Sequence, residues 1–219
     1  MYIRKLGALC FVVIISSLAL TSCSGPSRLY AVDKTDGVYF SVPKNWIRVS
    51  NAALNAREGQ GATGTALDRL YAVKWQEAFS PSKKITSSHV LSLVAPTVPL
   101  AYIRVRSLLP EEIDAVSYNS LRNMIVPVTS WASGLDATAP EFQLLDDAES
   151  IQKIARGVHT VFEFTPKKGV SQTIDQTALV SDDRSTIYVL IVRCTSTCFS
   201  KNLKVIDEIV SSFTVRGKR

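Results

Sequence analysis

The sequence predicts an α+β domain, and three observations carry the prediction. Val38–Val42 and Ala101–Arg106 alternate with the period of two that marks a β-strand. A stretch opening at Pro110 and another over Leu203–Phe213 space their apolar residues as helices do. Ile187–Val192 is apolar at every position, which predicts a central strand covered on both faces.

The chain begins with the three-part pattern of a secretory signal. Arg4 and Lys5 give a positive start, Leu6 to Leu20 is largely apolar, and the small residues Thr21 and Ser22 precede Cys23. The apolar run is shorter than the roughly 20 residues of a membrane span, so a cleaved signal is expected. Leu20-Thr21-Ser22-Cys23 resembles a bacterial lipobox. The resemblance implies a diacylglyceryl group on the Cys23 sulfur and cleavage between Ser22 and Cys23. The alternatives are an ordinary signal and an uncleaved anchor, with Cys23 there by chance. Each buried methylene contributes about 0.8 kcal/mol and stable anchoring takes more than one chain, which a diacylglyceryl group supplies. The expected organisation is a signal peptide over 1–22, a lipidated tether over 23–36, one domain over 37–215 and a basic tail over 216–219. The expected location is the extracytoplasmic face of the cell membrane.

The 219 residues carry 25 Lys and Arg against 19 Asp and Glu. Loss of Arg4 and Lys5 with the signal lowers the net charge from +6 to +4. A mildly basic domain near a membrane is attracted to anionic headgroups or cell-wall polymers, although no dense Lys/Arg block stands out. Nucleic acid is not an expected partner of an exported chain. Of the four cysteines, Cys10 leaves with the signal and Cys23 takes the lipid. Cys194 and Cys198 remain where disulfides persist. Their short loop is read as a structural disulfide worth about 2 kcal/mol. A redox pair is more usually Cys-x-x-Cys, and a zinc site needs more ligands than the distant His89 and His159.

Taken in order, Ser24 to Asp36 reads as the tether. Val38–Val42, the turn Pro43-Lys44-Asn45 and the strand Trp46–Val49 read as a hairpin. Asn51–Thr65 reads as a Gly-rich loop. Its Gly59-Gln60-Gly61-Ala62-Thr63-Gly64 matches GxGxxG, but no strand precedes it, so no dinucleotide site is expected. Residues 67–79 fit helix or strand, with aromatic content favouring strand from Tyr71. His89–Val94 reads as a short strand. Over 101–106, Ala101, Ile103 and Val105 point inward; Arg104 and Arg106 point outward, as an anion site or a solvated face. Pro110-Glu111-Glu112 starts a helix with Pro in the first turn and acids at its positive end, running to Pro127. Residues 128–156 read as irregular, with Trp131 packing the loop onto the core. Strands follow over 160–164, 171–180 and 187–192, then the Cys pair and a last helix.

The order and two terminal signatures resemble the PsbP-like superfamily, and within it the LpqN-type bacterial lipoproteins. The signatures are Tyr39-Phe40-Ser41-Val42-Pro43-Lys44-Asn45-Trp46 and Ile206-Asp207-Glu208-Ile209-Val210-Ser211-Ser212-Phe213. The resemblance covers most of 37–215. It implies an α/β/α sandwich around a mainly antiparallel sheet and an accessory or binding role without an active site. The Gly-rich loop and the Cys194/Cys198 pair depart from it.

Catalysis finds no assembled constellation in the sequence. Asp146-Asp147 and Asp182-Asp183 read as loop acids, and His159 with Glu163 as an exposed pair on one strand face. No cofactor or metal is expected. The leading expectation is a non-catalytic accessory or binding protein of the cell envelope with a protein partner. A carrier of a small or lipidic ligand is the alternative, and an envelope hydrolase the third.

Overall fold

The computed structural model describes residues 27–217. The expected signal and lipobox with Cys23, and Lys218 and Arg219, lie outside the described residues. No helix among the described residues is long and apolar enough to cross a membrane.

Strand β1 (Arg28–Asp33) pairs antiparallel with β2 (Val38–Pro43) through a turn at 34–37. Gly37 closes that turn at φ 66°, and a Cβ on it would lie 2.2 Å from the Gly217 carbonyl oxygen. Only glycine tolerates both conditions. Residues 28–33 are therefore part of the folded domain and not of a tether. Their sequence hides it because Tyr30 and Val32 are exposed and only Ala31 is fully buried.

β3 (Ile47–Val49) does not form a hairpin with β2, which corrects the expectation for 38–49. It pairs with β4 (Val73–Ser80) in a second sheet. The turn at 44–46 carries the chain from one sheet to the other and leaves Trp46 buried between them. Between β3 and β4 stand two helices, α1 (Asn51–Glu58) and α2 (Thr65–Tyr71). Ser50 caps α1 by accepting the Ala53 N–H, and Leu54 anchors it to the sheet. The Gly-rich expectation holds only for 59–64, which links two helices. The ambiguous stretch 67–79 is a helix that becomes a strand after Ala72.

Helix α3 (Ser87–Leu91) replaces the strand expected at 89–94, with Val90 as its buried residue. β5 (Leu100–Ser107) follows. The helix expected from Pro110 is broken into α4 (Pro110–Ile113) and α5 (Tyr118–Arg122), which Ser117 caps. α6 (Val128–Ala132) and β6 (Glu141–Ile151) occupy the stretch expected to be irregular. β6 was illegible because it is an edge strand, exposed along most of its length, and so lacks an apolar alternation. β7 (Ala155–Thr165), β8 (Gln172–Ser181) and β9 (Thr186–Thr195) complete an antiparallel meander. Short α7 (Ser196–Lys201), α8 (Leu203–Ser211) and β10 (Thr214–Val215) end the chain.

The strands form a three-stranded sheet, β1-β2-β10, and a seven-stranded sheet, β3-β4-β5-β9-β8-β7-β6, with antiparallel neighbours throughout. One face of the large sheet, with Ile103, Val105, Leu190 and Val192, packs on the small sheet and on α8 as a single core. Phe40 stands 5.6 Å, centroid to centroid, from Phe79 and 6.4 Å from Trp75. Ile206 and Ile209 are the buried stripe of α8. The other face is covered by the short helices in three smaller clusters. The fold is α+β, helices on both sides of a mainly antiparallel sheet, with the small sheet sharing one layer. β9 is the middle strand and is covered on both faces.

Candidate functional site

A groove of about 850 Å³ runs along the helix-covered face of the large sheet. Its floor is β5 and β9. The register sets Tyr102 beside Ile191, Arg104 beside Val189 and Arg106 beside Ile187. An apolar row from β9 thus adjoins a polar row from β5. α1 to α3 and their links form one wall, with Ala62, Ala66 and Leu91. The segment from Leu108 to Ile125 forms the other, with Val116 and Met124.

Arg104 and Arg106 face the helix layer rather than solvent, because strands in mid-sheet have no open face. Each finds a carboxylate there. Arg104 donates to both Glu58 oxygens at 2.7 and 2.9 Å. Tyr102 donates its hydroxyl to Gln76 Oε1 at 2.5 Å, and Gln76 donates to Asn55 on α1 at 2.6 Å. Arg106 donates to Glu112 at 2.5 and 3.0 Å, and Arg69 adds a third bond at 3.1 Å. Burial works to raise the Glu112 pKa. The Arg106 hydrogen bonds, the Leu109 N–H and the charges of Arg106 and Arg69 outweigh it and hold it below the ordinary value.

Arg193 is buried at one end of the floor and has no carboxylate partner among the described residues. Its guanidinium donates to the carbonyls of His89, Val90, Ser92 and Val94, and to Gln172 Oε1. Burial lowers its pKa to about 10. This arginine satisfies the end of α3 and the loop after it, carbonyls that otherwise lack donors.

The sequence's other candidates sit apart from the groove. Cys194 and Cys198 are joined by a disulfide with Cα atoms 5.9 Å apart, at the start of α7. His159 and Glu163 lie on the opposite face of the sheet and do not meet as a pair. His159 contacts Asp175 at 2.9 Å and Asp146 at 3.4 Å. Glu163 accepts from Ser171 and Thr173. Asp146 and Asp147 are in β6, not a loop, and Asp147 accepts from Arg122 at 2.9 Å. Asp182 pairs with Arg156, and Asp183 accepts from Ser181 and Ser185 within its turn. Those hydrogen bonds lower the Asp183 pKa to about 2. Trp131 packs edge-on against Phe142 and tilted against Phe164. Among the described residues no group of three His, Cys, Asp or Glu could hold a metal.

Glu58, Glu112 and Arg193 are the residues the sequence reading missed. Two of them left a trace. Glu112 is three residues past Leu109, the position from which a side chain reaches back to the N-cap N–H. Arg193 ends an apolar run in a doubly covered strand, where a guanidinium must find several acceptors.

No protein-family model matches the sequence, and no curated protein matches it. Among solved structures the chain is similar to the cyanobacterial PsbP of Synechocystis sp. PCC 6803. The identity is 12%, over 90% of this chain and 98% of that one, with a TM-score of 0.49. It is similar to LpqN of Mycobacterium tuberculosis, described as involved in cell envelope biogenesis. There the identity is 12%, over 85% and 89%, with a TM-score of 0.44. The Ran-binding protein Mog1p of Saccharomyces cerevisiae gives 10% over 87% and 96%, with a TM-score of 0.41.

Proposed function

We propose that the chain is a membrane-tethered, non-catalytic binding protein of the cell envelope whose binding site is the groove over β5 and β9. The lipobox around Cys23 supports the tether. The observation that carries the binding role is how the groove's charges are used. Arg104 pairs with Glu58, Arg106 and Arg69 share Glu112, and Arg193 is held by backbone carbonyls. These groups hold the walls to the floor, and beside them the groove is lined by apolar side chains from both walls and from β9, among them Leu91, Val116, Met124 and Ile191. A volume near 850 Å³ is within the range of ligand sites, roughly 300–1,000 Å³.

The leading occupant is an apolar segment of an envelope protein partner. The second reading, a carried small or lipidic ligand, draws on the same apolar lining. The test is native mass spectrometry of the mature protein purified gently from its host, beside an Ala66→Trp variant that fills the groove. A protein of defined stoichiometry that the variant loses supports the accessory role. A small extra mass that the variant loses supports the carrier. An occupant retained by the variant places binding elsewhere and sinks the groove as the site.

A further inference from the structure

We infer that one end of the sandwich docks on an anionic phospholipid bilayer, with lysines at its rim and apolar loop tips at its surface; the inference rests on the lipid anchor at Cys23. Strand register defines this end. Ile47 pairs with Ser80, Phe79 with Ala101, Leu100 with Arg193, Gln172 with Thr195 and Phe164 with Gln172. The loops that leave from these residues therefore lie side by side. The loop after β4 carries Lys83 and Lys84. The turn after β7 carries Lys167 and Lys168. The β2–β3 turn carries Lys44, and the start of the α7–α8 layer carries Lys201 and Lys204. All seven are exposed, and none is in an ion pair among the described residues.

The acids at this end are few. They are Asp136 and Glu141 before and at the start of β6, Glu208, which pairs with Arg28 at 2.7 Å, and Glu163, whose carboxylate is engaged by Ser171 and Thr173. The opposite end holds the turns with Asp33 and Asp36, with Asp182 and Asp183, and with Glu111 and Asp114. That end also carries Lys34, Lys153 and Arg184, and Lys74 and Arg156 pair with Asp36 and Asp182, so the acids there are balanced while the seven lysines at the first end are not.

Apolar tips stand among the lysines. Val94 is 77% exposed and Leu93 55%, in the loop before β5, and Val170 is 66% exposed in the turn beside it. Gln172 donates to the Leu93 carbonyl, which ties the two loops together. Exposed apolar tips within a ring of lysines suit the headgroup–acyl boundary, where methyl groups bury and ammonium groups meet phosphates. A soluble anionic polymer would use the lysines but leave the tips in water.

The chain also enters the domain here. Lys44 N–H donates to the Ser27 carbonyl at 3.2 Å, and Arg28 pairs with Pro43. Ser27 follows Cys23 by four residues, and four residues reach at most about 14 Å. A lipid on Cys23 therefore keeps the lysine end, and not the opposite end, close to the bilayer. Leu91 and Leu93 border the groove as well, so docking sets one rim of the groove at the membrane surface.

The test uses the full lipidated chain, purified from host membranes and reconstituted with phosphatidylcholine vesicles with or without phosphatidylglycerol. An environment-sensitive fluorophore is placed through Val94→Cys, and in a second protein through Asp182→Cys. In phosphatidylglycerol vesicles the label at position 94 is expected to be several-fold less open to acrylamide quenching than the label at 182. Lys83→Glu with Lys84→Glu, Lys167→Glu and Lys168→Glu is expected to return the label at 94 to water while the chain still sediments with vesicles. Equal quenching at 94 and 182 in sedimented chain overturns the docking and leaves the anchor standing. Equal shielding at 94 in pure phosphatidylcholine overturns the role of the lysines. Chain that does not sediment with vesicles overturns the anchor and the docking together.

Discussion

His159 holds one imidazole between two carboxylates, with Nε2 2.9 Å from Asp175 and Nδ1 3.4 Å from Asp146. The three residues come from adjacent strands β7, β8 and β6, and Asp207 of α8 adds a further negative charge near Asp175. The hydrogen bond that His159 donates to Asp175 raises the His159 pKa above its ordinary 6.5, against burial and with help from the charges of both aspartates. Burial likewise raises Asp175.

A raised histidine pKa means the folded chain binds more protons than the unfolded chain. Its stabilisation is full below pH 6.5 and is lost as pH rises through the raised value. Asp175 acts in the same direction at lower pH. Thermal unfolding should therefore show Tm falling as pH rises above 6.5. His159→Gln should flatten that slope, and an unchanged slope would count against the assignment.

Phe40 is fully buried where the small sheet meets the large one, against Phe79 and Trp75. Phe40→Ala should cost about 3–5 kcal/mol, since neighbours held by two sheets close poorly around the cavity. Chemical denaturation measures it. Tyr30→Ala, at an exposed position in the same sheet, should change stability by less than about 0.5 kcal/mol.

Arg193→Leu leaves the carbonyls after α3 without their donor, at a cost on the order of 3 kcal/mol. Hydrogen exchange should quicken over residues 89–95. Arg193→Lys should rescue little, because one ammonium cannot span acceptors as spread as His89, Val94 and Gln172.

Reducing the Cys194–Cys198 disulfide should lower stability by about 2 kcal/mol in the chain-entropy account. Cys194→Ser with Cys198→Ser, followed by denaturant, gives the same quantity without reductant. A loss well above that would mean the bond also holds α7 against β9.

Local pattern alone was enough for β5, β7 and α8, which bury a face with a regular period, and for β8 and β9, which read as continuous strands covered on both faces. Trp46, Phe40, Ile206 and Ile209 were legible as packing residues for the same reason. The charge count and the disulfide pair also needed nothing beyond the chain. Other features depended on partners far away in sequence. β1 is a strand because β2 offers it an edge, and β6 because β7 does. β2 and β3 look like a hairpin until the turn at 44–46 sends them to different sheets. Arg104 and Arg106 read as a solvated face, and only the helices laid over mid-sheet strands turn them into the paired floor of a groove. Seven lysines scattered from Lys44 to Lys204 form no block along the chain. Antiparallel register gathers their loops at one end, and a linear sequence has no means of displaying that adjacency.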